Sequence, residues 1–552
     1  MKGFSAASGL AIGASLFSGA FAADAAWQTI PSITAVGQHF FYSNNGTQFL
    51  LKGVAYQENF SPNGTSNNDN VQYKDPLADG SSCARDIPFM KQIFTNVIRV
   101  YAIDPTADHD DCMQQLAEND IYVVADLSQP GESINSNEPE WNVPLYTRYT
   151  SVVDALSKYQ NVIGFFAGNE VISAGNQTAA AAFVKAAVRD TKSYIKSMNY
   201  RDSLGVGYAT ADVPGRDQLA AYFACEPDDT TSSSIDFWGY NVYSWCGDSN
   251  YVSSSYNERV DFFSDYPVPV FFAEYGCIEG IPSPDERPFT EVEVLYGNMT
   301  EVFSGGIVYQ WFWSENEYGL ISLDGNTVST KADYNSLSSQ LAKVTPSLTQ
   351  SADYTPSNKA PACPTTGSVA ADVTWVPQSS PLPPNVNPQL CSCEEAAFGC
   401  AVSTDDEDSY AKAFAFICGE DDGKYCDAIA HNASTGTYGA ISGCDPKVQL
   451  GFVANQYYLA QNSDKQACDF NGVAKVQGAS TASSCSALLA SAGTDGLGSV
   501  ASPTGQQGTA AASSSSVGVP GFNTPGLFGF GNAFFVAYIV AMVVSGVGMI
   551  VL

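Results

Sequence analysis

Positive charge is scarce in this chain of 552 residues, which has 24 lysines and arginines against 57 aspartates and glutamates and a formal net charge of -33. Proteins that bind nucleic acid or anionic membrane surfaces use basic patches, so this balance argues against both kinds of partner. It suits a secreted protein that acts on a neutral partner, although solubility alone explains the charge equally well.

Histidine is scarcer still, with only His39, His109 and His431. His109 follows a predicted strand, but no serine or cysteine elbow accompanies it, and the predicted fifth strand reads GVGYAT rather than G-x-S-x-G. Neither H-E-x-x-H nor H-x-x-E-H occurs. We therefore expect no Ser/His triad, no metal site and no cofactor.

Fourteen cysteines in a chain of this kind indicate seven disulfides in a secreted protein. Six lie between Cys83 and Cys363, and eight lie between Cys391 and Cys485. Zinc is the alternative for the second group, but Cys391-x-Cys393 is tighter than the usual C-x2-C pair and a single histidine lies nearby. We therefore predict disulfides throughout.

The first residues resemble a secretory signal peptide. Lys2 precedes an apolar run over about residues 9–22 that ends in the A-x-A-like sequence AFA. We expect residues 1–22 to be removed, so that the mature chain starts near Ala23. Five N-x-S/T sequons fit the same secretory route and are candidate glycosylation sites: Asn45, Asn63, Asn176, Asn298 and Asn432.

The last residues follow the order of a GPI-anchor signal. Residues 489–523 are mostly Ala, Ser, Gly and Thr, which suits an O-glycosylated stalk rather than a packed core. Residues 524–552 end in an uncharged apolar stretch, and we expect them to be removed when a GPI lipid is attached. A true membrane span is the alternative. The expected location is the outer face of the plasma membrane or the cell wall, with the lipid as the only membrane contact.

Eight short apolar runs alternate with amphipathic helical stretches between residues 27 and 345. The runs are near-continuously apolar, as expected for parallel strands covered on both faces; they span 49–57, 96–104, 121–128, 162–170, 203–210, 235–243, 268–276 and 305–313. This pattern is typical of an α/β fold, the (β/α)8 or TIM barrel, which we place in residues 23–345. A doubly wound open sheet is the alternative, but no glycine-rich phosphate loop follows the first run.

Two further regions follow the predicted barrel. Residues 346–388 are rich in Pro, Ser and Thr and are predicted to be a linker, with Cys363 tying it back to the barrel. Residues 389–488 hold eight cysteines and are predicted to form a small second domain. Disulfides would stabilise it, because so short a segment cannot build a large core.

Two of the apolar runs deliver a glutamate to their C-terminal end. The fourth, NVIGFFAGNE, ends with Asn169 and Glu170, and the seventh, VPVFFAEYG, carries Glu274. The strand ends of a (β/α)8 barrel surround one mouth, so both acids should face the same cleft. Two such carboxyl groups can cleave a glycosidic bond, one donating a proton and one attacking the anomeric carbon. A rim salt bridge is the alternative for each glutamate.

Aromatic and polar residues near the strand ends also suit a sugar site. Tyr309, Trp311 and Trp313 alternate along the last run and are predicted to share one face, and Tyr101 and Tyr243 lie near the ends of two other runs. Aromatic faces stack on sugar rings, although barrel packing explains at least half of these residues. Four polar residues at or past strand ends are further candidates, with loop caps or ion pairs as the alternative: Gln57, Asp126, Asp212 and Arg216.

The motifs FAGNE, GYNVYSWCG and FFAEYGC, together with the Cys-rich block, resemble the fungal β-1,3-glucanosyltransferases of glycoside hydrolase family 72, which are GPI-anchored enzymes of cell-wall remodelling. The resemblance runs from near Trp27 to the C-terminus. It implies a retaining (β/α)8 barrel in which Glu170 is the acid/base and Glu274 is the nucleophile. It also implies that the Cys-rich block is a mainly α-helical carbohydrate-binding module of family 43.

The resemblance implies sugar contacts as well. Tyr101, Asn169 and Tyr309 match positions near the cleavage point, and Gln57, Asp126 and Tyr243 match other contacts. Asp212 and Arg216 match an acidic and a basic loop contact, but the spacing ADVPGRD departs from the family pattern. The family's disulfide pairing, applied here, gives Cys83–Cys112, Cys225–Cys363, Cys246–Cys277, Cys391–Cys444, Cys393–Cys485, Cys400–Cys468 and Cys418–Cys426.

The implied reaction cleaves an internal bond of a β-1,3-glucan donor and transfers the new reducing end to the non-reducing end of a β-1,3-glucan acceptor. We expect the protein to act as a monomer. Two alternatives use the same features: a plain retaining endo-β-1,3-glucanase, and a non-catalytic wall protein that binds glucan.

Overall fold

The computed structural model describes residues 25–58, 73–129, 131–227 and 233–503. The predicted signal peptide, Asn63 and the predicted anchor segment lie outside these residues. Among the residues described, no helix combines the length and the apolar character needed to cross a bilayer.

Eight parallel strands close into a barrel, as the sequence predicts. In order around the barrel they run β4 to β11 and back to β4. An N-terminal antiparallel sheet of β1 (Ile33–Val36), β2 (His39–Tyr42) and β3 (Gln48–Phe49) precedes them. The barrel strands are β4 (Leu51–Ala55), β5 (Val97–Val100), β6 (Tyr122–Asp126), β7 (Val162–Asn169), β8 (Gly205–Ala211), β9 (Trp238–Cys246), β10 (Val270–Cys277) and β11 (Phe303–Val308).

A helix follows each barrel strand, which confirms the alternating pattern. After α1 (Ala26–Thr29) these helices are α2 (Gly80–Gln92), α3 (Asp110–Glu118), α4 (Val143–Leu156), α5 (Ala180–Ser197), α6 (Arg216–Ala224), α7 (Tyr256–Phe263), α8 (Glu291–Leu295) and α9 (Ala332–Leu341). A hairpin of β12 (Ile321–Asp324) and β13 (Thr327–Thr330) separates β11 from α9. The sequence pattern did not predict the N-terminal sheet, α3 or α9.

Aromatic side chains fill the barrel interior below the mouth. Phe166, Phe237 and Phe271 are almost fully buried and contact one another with ring centroids 5.3 to 6.0 Å apart. Phe40 of the N-terminal sheet packs on two of these rings and closes the bottom. The barrel is therefore solid, and its polar chemistry is confined to the C-terminal end.

The predicted linker is a strap that packs on the barrel. It contains a hairpin of β14 (Gly367–Ala370) and β15 (Val373–Trp375). Tyr354 accepts a hydrogen bond from the Gln38 backbone N–H (3.1 Å), and Cys363 is bonded to Cys225. Trp375 is fully buried. The Pro-rich composition favours an extended chain, and here that chain lies along the barrel and is joined to it by hydrogen bonds, a disulfide and a buried tryptophan.

The Cys-rich region forms a second, mainly helical domain that contacts the barrel. Its elements are α10 (Pro388–Ala397), β16 (Cys400–Val402), α11 (Tyr410–Ile417), β17 (His431–Asn432), β18 (Thr437–Tyr438), α12 (Pro446–Ala460), β19 (Ala474–Val476) and α13 (Ser486–Ala492). The Val143 backbone N–H donates to the Gly443 carbonyl (2.9 Å), and Phe183 contacts His431 edge-on. The two domains therefore share an interface at α4 and α5.

Seven disulfides join all fourteen cysteines: Cys83–Cys112, Cys225–Cys363, Cys246–Cys277, Cys391–Cys444, Cys393–Cys485, Cys400–Cys468 and Cys418–Cys426. These are the pairs that the family resemblance implies. The first three lie in the barrel and its strap, and the other four staple the second domain.

The expected stalk from residue 489 onward needs correction for its first fifteen residues. Helix α13 continues to Ala492, which is fully buried, and the Ala440 backbone N–H donates to the Gly496 carbonyl (2.8 Å). Asn385 and Asn387 donate to the carbonyls of Val500 and Ala501. Small residues allow this segment to lie close to the domain and to form hydrogen bonds with it through its backbone. Because few of its side chains are hydrophobic, composition alone does not predict this packing.

Replacement of Gly496 tests whether residues 489–503 belong to the second domain. Gly496 has φ +67°, and an added Cβ would lie 2.6 Å from Ala428 and 2.9 Å from Phe452. We expect Gly496→Ala to lower the free energy of unfolding by about 2 kcal/mol, measured by urea unfolding. Gly478→Ala is the control, because an added Cβ there meets nothing within 4 Å. Equal stability of the two variants would contradict this assignment.

Candidate active site

Glu170 and Glu274 both lie at the C-terminal mouth of the barrel. The pairing register of β7 with β8 shifts just before Asn169, and that of β10 with β9 shifts just before Glu274. Such irregularities re-aim side chains beside active sites. Glu170 itself has a left-handed backbone, with φ 51°, and its N–H donates to the Ala209 carbonyl at 2.9 Å.

Arg99 of β5 joins three strands beneath the mouth and is fully buried. Its Nε and Nη2 each donate to one carboxylate oxygen of Asp126 at 3.0 Å. Its Nη1 lies 3.3 Å from Glu274 Oε1, and its Nη2 lies 3.0 Å from Asn169 Oδ1. The guanidinium also stacks on the ring of Tyr101, 4.4 Å from its centroid. One buried cation therefore orients groups from β6, β7 and β10.

Asn241 of β9 connects the second glutamate to this network. Its Nδ2 donates to Glu170 Oε1 (2.8 Å) and to Asn169 Oδ1 (3.1 Å). Because Asn169 Oδ1 accepts from both Arg99 and Asn241, the orientation of its amide is determined. The Nδ2 of Asn169 donates to no residue that the structure describes, so it is available to a hydroxyl group of a bound sugar.

Two phenols complete the surroundings of Glu274. Tyr101 donates to Oε1 at 3.0 Å, and Tyr243 donates to Oε2 at 2.8 Å. Burial and the neighbouring Glu274 charge raise the pKa of both tyrosines, which therefore stay protonated and able to donate. With Arg99, the carboxylate has three donors, and these hydrogen bonds favour its ionised form.

The two carboxyl groups have raised pKa values but different partners. Burial raises the pKa of Glu274 to about 7; Arg99 and the two phenols oppose this rise, and the Glu170 charge adds to it. Burial also raises the pKa of Glu170, against the hydrogen bond from Asn241 and the charge of Arg99. Glu274 has three donors and Glu170 has one, and hydrogen bonds to a carboxylate favour its ionised form, so the donors favour the charge of the pair on Glu274.

Tyr309 and Tyr318 form a further wall of the mouth. Tyr309 lies edge-on to Tyr101 (6.5 Å) and to Tyr318 (5.4 Å). The buried guanidinium of Arg287 donates to the backbone carbonyls of Tyr309 (2.7 Å) and Tyr318 (2.6 Å), while Asp333 pairs with it from α9. This ion pair holds both tyrosines in place from behind.

The predicted common face of Tyr309, Trp311 and Trp313 is wrong, because β11 ends at Val308. Trp311 is fully buried and packs against Tyr334 of α9. Trp313 contacts Lys331, whose Nζ lies 4.1 Å from the ring centroid. The alternation of a strand does not continue beyond its last residue, so the three side chains diverge: Tyr309 lies beside Tyr101, Trp311 is buried, and Trp313 lines a cavity that it shares with Gln57.

The other predicted contacts are engaged within the protein. Gln57 Oε1 accepts from the backbone N–H groups of Tyr101 (3.2 Å) and Ala102 (3.0 Å), and its side chain lines a cavity of about 220 Å³ beside the mouth. Asp126 is 3% exposed, and Arg99 occupies both of its oxygens.

Asp212 and Arg216 lie at the loop after β8. Asp212 accepts a hydrogen bond from Tyr240 (2.5 Å) and pairs with the buried Arg259. Arg216 Nε lies 3.4 Å from Asp212, and its side chain is 36% exposed. Arg216 is therefore the more accessible of the two, whereas Asp212 is the centre of an internal ion-pair cluster.

Sequence reasoning missed Arg99, Asn241, Arg259 and Arg287. Arg99 had a signal, since it is the one charged residue within the apolar run NVIRVYA. Asn241 is the polar residue of GYNVY. The two remaining arginines lie in α7 and in the loop after β10, where a surface cation is ordinary, so nothing in the sequence distinguishes them.

Four of the five sequon asparagines lie in the described residues. Asn45, Asn176, Asn298 and Asn432 are all exposed.

Close to the mouth, Cys246, Cys277 and Glu279 lie together, but the two cysteines form a disulfide and therefore cannot ligate a metal as thiolates.

Comparisons with known families match both domains. Residues 22–345 match the glucanosyltransferase family, and residues 398–475 match the X8 domain. A 1,3-beta-glucanosyltransferase of Arthroderma benhamiae is 48% identical over 95% of this chain and 94% of that protein. The 1,3-beta-glucanosyltransferase gas1 of Schizosaccharomyces pombe is 45% identical over 83% of this chain and 81% of that protein.

Solved structures of a yeast protein share the architecture. Saccharomyces cerevisiae Gas2p in complex with laminaripentaose is 38% identical, with a TM-score of 0.72, over 82% of this chain and 98% of that chain. A mutant of Gas2p in complex with laminaritetraose and laminaripentaose is 39% identical, with a TM-score of 0.70, over 82% of this chain and 95% of that chain.

Removal of one phenol tests the electrostatics of Glu274. Tyr243→Phe deletes a hydrogen bond to the carboxylate, and because that bond favours the ionised form, the pKa of Glu274 should rise above about 7. Carbon-13 NMR titration of labelled glutamate measures this change. Tyr200→Phe is the control, since Tyr200 donates to Asp154 on the outer surface. An unchanged or lower pKa in Tyr243→Phe would refute the assigned hydrogen bond.

Proposed function

The chain belongs to the glucanosyltransferase family, glycoside hydrolase family 72, and from this premise we propose that it elongates β-1,3-glucan of the fungal cell wall by retaining transglycosylation. The supporting observation is the single hydrogen-bonded network that joins Glu170 and Glu274 at the barrel mouth while giving them unequal numbers of donors. Relatives with the name 1,3-beta-glucanosyltransferase and complexes of Gas2p with laminari-oligosaccharides support the choice of sugar.

The first chemical step uses the charge distribution of the pair. Glu274 attacks the anomeric carbon of an internal β-1,3-linked glucosyl unit, and the bond to the leaving oxygen breaks. Glu170 transfers its proton to that oxygen, so the fragment leaves as an alcohol. Asn169 Nδ2 is available to a sugar hydroxyl during this step. Tyr101 and Tyr243 donate to different oxygens of Glu274, so the phenol on the oxygen that does not form the ester bond keeps its hydrogen bond.

The second step reverses the roles. Glu170, now ionised, removes the proton from the 3-hydroxyl of an acceptor glucan, which attacks the anomeric carbon and displaces Glu274. The new β-1,3 bond retains the anomeric configuration, and the acceptor is longer. Transfer exceeds hydrolysis where the acceptor is held better than water, and the wall formed by Tyr309 and Tyr318 supports such a site.

The proposed role extends to the cellular setting. A monomeric protein, secreted through the signal peptide and held at the outer membrane face by a GPI lipid, would reach wall glucan directly. The net charge of -33 supports a neutral substrate over an anionic one. The second domain, which matches X8, is proposed to bind glucan beside the barrel.

Amide replacement of each glutamate tests the catalytic roles. Glu170→Gln and Glu274→Gln should each lower turnover of reduced laminari-oligosaccharides by about a thousandfold or more, because one removes the transferable proton and the other removes the nucleophile. Product analysis by mass spectrometry should show wild-type products longer than the substrate.

Glu394→Gln is the control, since Glu394 is a buried glutamate of the second domain whose pKa burial raises to about 7. It should leave turnover unchanged. Near wild-type activity in either active-site variant would overturn the assignment. Products that are only shorter than the substrate would identify a glucanase instead.

The anchor has its own test. The native protein should be released from cell membranes by a phosphatidylinositol-specific phospholipase, because a GPI lipid would be its only attachment. Mass spectrometry of the released protein should find no peptide from residues 534–552. Detection of that tail in the mature protein would show a peptide membrane span instead.

A further inference from the structure

The hairpin of the strap, β14 and β15, packs against two loops of the catalytic mouth. Val373 is 4% exposed, and it lies beside Gly175 in the loop after β7 and Gly215 in the loop after β8. The Asp372 carbonyl oxygen approaches Gly175 so closely that an added Cβ would lie 2.3 Å from it. Glycine at position 175 is what allows this contact.

Hydrogen bonds and an aromatic contact hold the hairpin in this place. Thr178 Oγ1 donates to the Thr374 carbonyl (2.8 Å) and accepts from the Val376 backbone N–H (3.4 Å). Trp375 is fully buried and lies edge-on to Tyr222 of α6, with centroids 5.1 Å apart. The hairpin is thus joined to the barrel by three consecutive residues that directly follow the contact with Gly175.

The loop that receives the hairpin begins at Glu170. Glu170 has a left-handed backbone, which for a residue other than glycine persists only when its surroundings hold it. Its carboxyl group has one hydrogen-bond donor, Asn241, whereas Glu274 has three. Val171 and Ile172 are buried directly after it. The position of Glu170 therefore depends on how residues 171–178 are packed.

We propose that this hairpin, through Val373 and the Asp372 backbone, is a positioning element for the acid/base Glu170. The inference rests on the proposed function. The hairpin would act in the first chemical step. In that step Glu170 gives its proton to the leaving oxygen, the bond between that oxygen and the anomeric carbon breaks, and Glu274 forms the ester. Val373 is a positioning residue, because it acts through the loop and touches no reacting atom.

Two variants of the full chain loosen or displace the contact. Val373→Ala removes two methyl groups from between Gly175 and Gly215, and Gly175→Ala forces the loop and the hairpin apart. Val302→Ala is the matched control, since it deletes the same methyl groups from a buried position, 7% exposed, directly before β11 at the end of the barrel opposite the mouth. Thermal unfolding of each variant establishes that the chain is folded at the assay temperature.

The dependence of the rate on the leaving group distinguishes a displaced acid/base from a general loss of active-site structure. A laminari-oligosaccharide needs protonation of its leaving oxygen, whereas a nitrophenyl β-laminari-oligoside releases an acidic phenol that does not. The ratio kcat/KM reports the first step for both substrates. We expect Val373→Ala to lower kcat/KM for the oligosaccharide by about tenfold, and Gly175→Ala by more, with a change of less than about twofold for the nitrophenyl substrate.

The possible results are distinct. Equal losses on both substrates, or no loss on either one, in Val373→Ala would overturn the positioning role. Val302→Ala should match the wild type on both substrates, and a selective loss in that control would equally overturn it. Failure of the proposed function looks different, because the wild-type protein itself would then give no products longer than the substrate.

Discussion

The guanidinium of Arg99 lies between Asp126 and Glu274 in the barrel interior, and the charge state of the mouth depends on it. A buried cation is destabilising unless acceptors surround it, and Asp126 provides two oxygens at 3.0 Å. The remaining donors orient Asn169 and Glu274. Removal of Arg99 would leave Asp126 buried and unpaired, so the same ion pair supports both the fold and the chemistry.

The two glutamates differ in their neighbours rather than in their burial. Both carboxyl groups are desolvated, and burial raises the pKa of each. Three donors favour charge on Glu274, and a single donor leaves the proton on Glu170. In the mechanism that we propose, this arrangement suits a nucleophile and an acid that act together, and it returns to its starting state when the ester is broken.

The strap and the second domain make the barrel part of a larger unit. The predicted linker buries Trp375, closes the Cys225–Cys363 disulfide and brings a hairpin against the loop that begins at Glu170. Residues 489–503 in turn complete the second domain. Composition predicted a linker, tied to the barrel at Cys363, and a stalk at these places. Both segments pack instead through backbone hydrogen bonds and small side chains, and amino-acid composition does not predict contacts of this kind.

The sequence by itself determined the strand–helix alternation, the position of both glutamates at strand ends and the oxidised state of the cysteines. These properties follow from local patterns: apolar runs, strand termini and an even cysteine count. The tertiary structure alone decided which groups meet. Arg99, Asn241 and Arg287 come from separate strands and loops, and the pairing register of β7 and of β10 shifts just before the acids. Such contacts join residues far apart in the chain, where periodicity carries no information.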